Sequence, residues 1–211
     1  RGDLGSVDSD LRDRGELKGR MERFILASGS PRRSDLLSKA GYEFKVEPAE
    51  VEEWPPGKYP FRKLCVANAA LKAREISQQH PEAVVLGADT LVGLGGEVMG
   101  KPRDIVEAAC MLKRLSGRVH EVCTGVCVSC GAEEHVFFEV AWVRFLRFGE
   151  DVIKDYTQRV NVIDKAGAYA IQEHGEMLVD KVEGDRDNVV GLPMVRVADE
   201  LERFGVLPSR T

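Results

Sequence analysis

The segment Ser28-Gly29-Ser30-Pro31-Arg32-Arg33 combines residue types that suit a phosphate-binding turn. It follows an apolar run typical of a buried strand, and Ser30 with Pro31 marks the beginning of a helix. The free N–H groups at a helix N-terminus attract anions, and the two adjacent arginines add positive charge. An ordinary capped helix with solvated arginines is the alternative interpretation, and this segment alone leaves both open.

Asp89 is the second candidate, because it comes directly after an apolar strand predicted at residues 83–87. It lies in the predicted turn Ala88-Asp89-Thr90, at the edge where open α/β sheets place their ligands. A carboxylate there can bind a divalent cation or accept a proton from water. The alternative is that Asp89 only forms a hydrogen bond within the turn.

A third polar segment runs from Asp164 to Gln172 with the sequence DKAGAYAIQ. A charged pair precedes small residues and then a predicted strand that ends in Gln172, whose amide can both donate and accept. A hairpin-like connection with an exposed glutamine is the alternative. A separate segment, GGEVMGKP at 95–102, has the spacing Gly95-x4-Gly100-Lys101 and is a near match to a P-loop, but Pro102 replaces the required hydroxyl. Lys101 therefore remains only as a candidate phosphate contact.

The cysteine and histidine patterns predict no metal site. Cys123, Cys127 and Cys130 have the spacing of an iron–sulfur loop, but the run around them alternates like a strand. Cys130 would then face away from the other two, so we expect buried free thiols. The four histidines lack metal-ligand spacing, and no G-x-S-x-G pattern supports a serine hydrolase.

The elements that must position these residues alternate between strands and helices at first, and long hairpins follow. We therefore predict an α/β fold with a mixed, twisted sheet flanked by helices. Strands are predicted at 24–27, 42–46, 83–87, 119–130, 136–148, 169–172 and 177–182, with a hairpin at 91–99. Helices are predicted at 31–39, 64–79, 105–115, 151–159 and 194–204.

Composition limits the classes of protein that the chain can represent. Its 211 residues are 43% hydrophobic and 31% charged, with a net charge of −5, which excludes wholesale disorder and disfavours a nucleic-acid-coating surface. No apolar run is long enough to span a membrane. Five cysteines indicate a reducing compartment, and we expect a cytoplasmic location. We interpret residues 1–20 as an N-terminal extension or expression remnant and residues 21–211 as a single domain.

Six sequence blocks taken together resemble the Maf family of nucleotide pyrophosphatases. They are LASGSPRR at 26–33, LGADT at 86–90, KP at 101–102, LSGRVHEVCTGV at 115–126, DKAGAYAIQ at 164–172 and NVVGLP at 188–193. The resemblance implies hydrolysis of a nucleoside triphosphate to the monophosphate and pyrophosphate, with a divalent cation (Mg²⁺, Mn²⁺ or Co²⁺). It also implies a two-lobed, inosine-triphosphatase-like architecture with the active site in the groove between the lobes, and frequently a homodimer.

The resemblance also implies roles for individual residues. Asp89 matches the family's proton acceptor. It is also a candidate metal ligand together with Glu53, although the neighbouring Glu52 could instead occupy the family's acidic position. The expected substrate-binding residues are Ser28, Arg32, Arg33, Lys72, Thr90, Lys101 and Gln172. Among them, Arg32, Thr90 and Gln172 resemble the trio of the branch that acts on dTTP and UTP. The chain departs from the family pattern at Glu173-His174 and at residues 184–187.

We therefore expect turnover of dTTP and UTP, with CTP and modified pyrimidine nucleotides as further candidates. The rival class is a non-catalytic nucleotide-binding regulator, since the family has been linked by name to septum formation. A regulator could keep the basic residues but would not need Asp89 together with an acidic partner. Release of pyrophosphate from dTTP or UTP distinguishes the two.

Overall fold

A computed structural model describes residues 24–57 and 59–209 of the chain. The expected N-terminal extension at residues 1–20 lies outside this range. Within the described residues, seven strands form one sheet: β1 Phe24–Leu26, β2 Lys45–Val46, β3 Val84–Leu94, β4 Glu97–Met99, β5 Val119–Cys130, β6 Glu133–Phe145 and β7 Val179–Glu183. The helices are α1 Pro31–Lys39, α2 Phe61–Gln79, α3 Ile105–Leu115, α4 Glu150–Arg159, α5 Arg186–Val190 and α6 Met194–Arg203. Two short 3₁₀ turns cover Ala166–Ala168 and Gly175–Met177.

The sheet is mixed, as the sequence predicts. Its strand order is β2-β1-β3-β5-β6-β7, and β4 pairs with β3. Strand β1 lies parallel to β2 and β3, whereas β3, β5, β6 and β7 pair antiparallel. The parallel part comes from the alternating first half of the chain and the antiparallel part from the long hairpins, so the predicted α/β fold with flanking helices is confirmed.

The apolar core is divided along the sheet. One cluster includes Leu112, Tyr156 and Leu178 and surrounds α3 and α4. Other clusters surround α1, α2 and α6 at the β1 end of the sheet, for example around Leu37 and Leu201. This division matches the two lobes that the resemblance to the Maf family implies.

Two glycines let helix α2 lie directly on the sheet. A Cβ atom on Gly87 would lie 2.3 Å from the carbonyl oxygen of Ala69, and one on Gly125 would lie 2.3 Å from the carbonyl carbon of Cys65. Any larger side chain would force the helix away from β3 and β5. The close approach brings the polar side chains of α2 to the middle of β3.

Strand β3 does not end where the sequence predicts. It continues from Val84 to Leu94 through the expected turn at residues 88–90, and Asp89 pairs with Gly125 of the long strand β5. A twelve-residue partner strand supplies the backbone hydrogen bonds that local sequence cannot reveal. Asp89 therefore lies within a strand, not in a turn.

The strand predicted at 169–172 is also wrong. Residues 166–168 form a 3₁₀ turn in which Gly167 and Ala168 both have positive φ angles, 69° and 63°. Two residues further on, the backbone N–H of Ala170 donates to the Tyr156 hydroxyl at 3.0 Å instead of to a strand. The strand predicted at 42–46 shortens to its last two residues, and helix α5 was not predicted.

Candidate active site

A pocket of about 380 Å³ is lined by residues of the central strands β3 and β5, of the segment from β1 into α1, and of the segment 164–172. All nine residues that the sequence singles out for the site line this pocket: Ser28, Arg32, Arg33, Glu53, Lys72, Asp89, Thr90, Lys101 and Gln172. Lys101 and Gln172 are exposed, whereas Ser28, Arg33 and Asp89 are buried. The structure thus brings the predicted residues together, and their individual roles stay predictions.

Two carboxylates share one ammonium group on the α2 side of the sheet. Lys72 Nζ lies 2.8 Å from Glu53 Oε1 and 2.9 Å from Asp89 Oδ1. The other oxygen of Asp89, Oδ2, accepts a hydrogen bond of 3.2 Å from Asn68. Asn68 and Lys72 are four residues apart on α2, so both lie on the same helix face. Hydrogen bonds from Lys72 and Asn68 therefore fix the orientation of the Asp89 carboxylate without any contribution from a substrate.

Arg33 is held by three neutral oxygen atoms. Its guanidinium donates to the carbonyl of Gly191 at 3.0 Å, to Ser28 Oγ at 2.9 Å and to Thr90 Oγ1 at 3.0 Å. Burial lowers the pKa of Arg33, and the nearby charge of Asp89 partly offsets that effect. Because an arginine keeps its charge even so, the pocket contains a buried positive charge that has no carboxylate among its hydrogen-bond partners within the described residues. Such a group is suited to an anionic ligand.

A chain of hydroxyl groups lies behind Arg33. Thr90 and Thr124 are directly opposite each other in the β3–β5 pair, and their Oγ1 atoms are 3.0 Å apart. Thr124 gives its single proton to the carbonyl of Asn188 at 2.9 Å, so Thr90 must donate to Thr124 and accept from Arg33. The Asn188 side-chain amide also donates to the backbone carbonyl of Val122 at 3.1 Å. This contact fixes the last residue of the hydrogen-bonded series.

The segment around Asp164 supplies a second ion-pair group. Asp164 Oδ2 lies 3.2 Å from Arg32, and its other oxygen lies 2.9 Å from Lys165. Burial raises the pKa of Asp164, but Lys165 and Arg32 outweigh it, and the net pKa lies below the ordinary value. Lys165 is only 4% exposed and also contacts the carbonyl of Asn161 at 2.6 Å. This cluster holds Arg32 at the wall of the pocket that the exposed Gln172 also lines.

The donor set fits a divalent cation that the substrate helps to bind. Among the described residues, no group of three or more His, Cys, Asp or Glu side chains could enclose a metal ion. Glu53 and Asp89 are nevertheless two carboxylates in contact with one lysine. Magnesium is commonly held by one or two carboxylates plus substrate phosphates and water, so these residues suit it.

Sequence reasoning missed three buried polar residues of the site: Asn68, Thr124 and Asn188. Each is at most 2% exposed. Asn68 could have been found from its spacing of four residues from Lys72 on one helix. Thr124 and Asn188 lie inside blocks that carry the family resemblance, but nothing local indicates that they meet, because 64 positions separate them.

The expectation of buried free thiols is confirmed for two of the three cysteines. Cys123 and Cys127 are buried free thiols, and Cys130 is free and partly buried. Burial raises the pKa of the Cys127 thiol to about 12, which makes it a poor metal ligand or nucleophile. None of the described helices is both long and apolar enough to cross a membrane.

The fold and the pocket define a class: an α/β protein whose mixed sheet carries a pocket rich in basic side chains. Comparison with known proteins narrows this class. A family model described as Maf-like protein matches residues 23–204, and the chain belongs to the Maf family.

Several curated relatives cover most of the chain. A dTTP/UTP pyrophosphatase from Akkermansia muciniphila is 45% identical over 181 residues, which are 86% of this chain and 96% of the relative. One from Symbiobacterium thermophilum is 45% identical over 185 residues, 88% of this chain and 95% of the relative. Among solved structures, the Ham1 protein of Staphylococcus aureus has a TM-score of 0.49 at 14% identity, covering 85% of this chain and 98% of that protein.

Proposed function

We propose that the chain hydrolyses dTTP and UTP to the nucleoside monophosphate and pyrophosphate. The observation that carries this proposal is the joint placement of Asp89 and Arg33 in one pocket, each buried and each fixed by hydrogen bonds. A water-activating carboxylate beside an anion-binding guanidinium is what phosphoanhydride hydrolysis requires. The curated relatives described above bear names for this activity.

The basic residues bind and orient the triphosphate. The substrate carries about four negative charges, and charge-assisted contacts with Arg33 and Lys101 would hold its departing pyrophosphate part. Ser28 lies at the end of β1, before α1, where backbone N–H groups add positive potential. As the bond to the α-phosphorus breaks, these donors stabilise the charge that accumulates on the leaving group.

Asp89 accepts the proton of the attacking water. Lys72 and Asn68 hold its two oxygens, so the carboxylate does not need to reorient when the water binds. Glu53 and Asp89 would hold a divalent cation, which supplies charge neutralisation and a more acidic water. Mg²⁺, Mn²⁺ and Co²⁺ are the candidates.

We assign recognition of the base to the part of the pocket that Arg32 and Gln172 line. Thymine and uracil present an acceptor–donor–acceptor edge, and the Gln172 amide could pair with part of it. Arg32 can donate to a base carbonyl or stack on the ring. A purine does not present this edge and would not pair with Gln172 in the same way, so dTTP and UTP should be hydrolysed ahead of ATP and GTP, with CTP and modified pyrimidine nucleotides as further candidates. A homodimer and a cytoplasmic location remain predictions from the sequence.

The test is a substrate panel with direct detection of pyrophosphate. Purified full-length chain is assayed with dTTP, UTP, CTP, ATP and GTP, each with Mg²⁺, Mn²⁺ and Co²⁺, and orthophosphate is measured in parallel. We expect pyrophosphate from dTTP and UTP and little orthophosphate. Binding of dTTP without turnover under every metal condition would refute the proposal and favour the nucleotide-binding regulator.

A further inference from the structure

Asn68 connects the reactive carboxylate to a neighbouring loop. It lies on α2 and is 2% exposed. Its Nδ2 atom donates to Asp89 Oδ2 at 3.2 Å, and its Oδ1 atom accepts from the backbone N–H of Trp54 at 2.8 Å. A longer contact of 3.5 Å joins Nδ2 to the carbonyl of Trp54. One carboxamide thus touches both Asp89 and the segment that carries Glu53.

The chemistry of these partners fixes which way the amide faces. A backbone N–H can only donate, so the oxygen of Asn68 must face Trp54 and the nitrogen must face Asp89. Lys72 contacts the other oxygen of Asp89 at 2.9 Å. Together these two contacts restrict rotation of the Asp89 carboxylate about its Cβ–Cγ bond. Asn68 and Lys72 are themselves held by second partners, the Trp54 backbone and Glu53.

The acidic loop, residues 47–57, contains no helix or strand within its described residues. Its Glu53 side chain reaches Lys72, but that carboxylate is 47% exposed, and exposed ion pairs hold a backbone weakly. The buried contact between Asn68 and Trp54 therefore holds the loop backbone, one residue from Glu53. Asn68 and Lys72 therefore both connect the segment of Glu53 to Asp89, and Asn68 does so through the loop backbone.

We propose that Asn68 is a positioning residue that orients Asp89 and sets the distance of the acidic loop from it. This inference rests on the proposed pyrophosphatase function, because the step it supports is water activation by Asp89. Asn68 does not line the pocket. Its loss should therefore lower kcat and change KM little, since the phosphate-binding residues stay in place.

A merely structural role makes a different prediction. A buried amide whose only task is to satisfy its partners would, when replaced, lower the melting temperature and leave kcat per folded molecule unchanged. The split between kcat and KM, measured on folded protein, separates the two roles.

Two substitutions separate the contact of the Asn68 amide with Trp54 from its contact with Asp89. Asn68→Leu keeps the branched shape and removes both hydrogen bonds. Asn68→Asp keeps an oxygen acceptor for Trp54 but places a second oxygen against Asp89. The matched control is Ser77→Ala on the same helix, because Ser77 is buried and its hydroxyl has no hydrogen-bond partner among the described residues.

Each variant is measured for kcat and KM with dTTP, for melting temperature, and for loop order. Loop order is followed by acrylamide quenching of Trp54 fluorescence in a Trp142→Phe background, since the chain has only two tryptophans. We expect Asn68→Leu to lower kcat about 10- to 100-fold, the span of one hydrogen bond to a charged group, and to increase quenching. Asn68→Asp should lower kcat at least as much while quenching stays unchanged. Ser77→Ala should alter neither.

Retention of kcat within about threefold by folded Asn68→Leu and Asn68→Asp would overturn the proposal. Equal quenching in all variants would overturn the claim that Asn68 holds the loop. If Asn68→Leu does not fold, the near-isosteric Asn68→Asp decides the outcome. Absence of turnover in the unmodified chain would instead refute the proposed function, and the quenching of Trp54 would still test the loop contact.

Discussion

Removal of the Thr90 hydroxyl is expected to weaken hydrolysis of every nucleoside triphosphate to the same degree. The family resemblance places Thr90 in the trio that selects the base. The structure instead has its hydroxyl accepting a hydrogen bond of 3.0 Å from Arg33 and lying 3.0 Å from Thr124. Since Arg33 is the proposed phosphate contact, a change at Thr90 should act through the phosphates, which are the same in all nucleotides.

The expected decrease in kcat/KM depends on the hydrogen-bond partners that Arg33 retains in the variant. In Thr90→Val, the guanidinium loses one of its three oxygen partners and retains Ser28 and the carbonyl of Gly191. A hydrogen bond to a charged group is worth about 1.5–3 kcal/mol, and the retained contacts favour the lower end. We therefore expect kcat/KM to fall about tenfold for dTTP, UTP, CTP and GTP alike.

The assay is pyrophosphate release under subsaturating substrate, which reports kcat/KM directly. Thr157→Val is a suitable control. Its hydroxyl contacts two backbone carbonyls of α4, that of Ile153 at 2.9 Å and that of Lys154 at 3.1 Å, and these are its hydrogen-bond partners among the described residues. A loss confined to dTTP and UTP, with GTP unaffected, would refute this reasoning and return Thr90 to the base site. An equal loss in the Thr157 control would show that the effect is not specific to the pocket.

Three further outcomes are expected. Asp89→Asn should lower kcat by about 10²–10⁴-fold with an unchanged melting temperature, since it removes the proposed proton acceptor from a position fixed by Lys72 and Asn68; near-normal kcat would contradict the assignment. Gln172→Glu should reduce turnover of dTTP and UTP more than that of GTP, because one amide donor becomes an acceptor; a uniform loss in the same substrate panel would contradict it. Burial lowers the pKa of His120 to about 4 from 6.5, so the unfolded chain binds this proton more readily and stability should fall as pH drops from about 6.5 towards 4. Urea unfolding should show a loss of about 2 kcal/mol between pH 7 and 4.5 that is absent in His120→Gln, and an equal loss in both proteins would exclude His120 as the cause.

The elements that the sequence predicts well are those set by local chemistry. Helix α1 begins after Ser30 with Pro31 at its first position and ends before Gly41, as the cap and stop residues indicate. The hairpin around Gly95 and Gly96 forms as expected, since both glycines have positive φ angles. These features need no information about distant parts of the chain.

The errors occur where a distant partner decides the structure. Asp89 lies within a strand because β5 continues alongside β3, and no residue near Asp89 reports the length of β5. The segment after Ala168 is not a strand because the hydroxyl of Tyr156 takes its backbone N–H. Apolar runs predict that a strand can form, but partners determine where it ends.

The contrast between local signals and distant partners also explains which features of the site the sequence could predict. Nine polar residues could be placed in one pocket because open sheets gather such residues at one edge and because the blocks resemble a known family. The side of the sheet that each residue faces could not be predicted while Asp89 and Thr90 were assigned to a turn. Within a strand they face opposite sides, so Asp89 meets Lys72 of α2 and Thr90 meets Arg33 of α1.

The charge of the pocket supports the proposed divalent cation. Its lining has five basic residues, Arg32, Arg33, Lys72, Lys101 and Lys165, and three acidic ones, Glu53, Asp89 and Asp164. The basic excess is therefore two charges, whereas a nucleoside triphosphate brings about four negative charges. One divalent cation bound with the substrate would supply the difference. Because Lys72 already contacts both Glu53 and Asp89, the two carboxylates are partly neutralised before the cation arrives, which keeps them from repelling the phosphates.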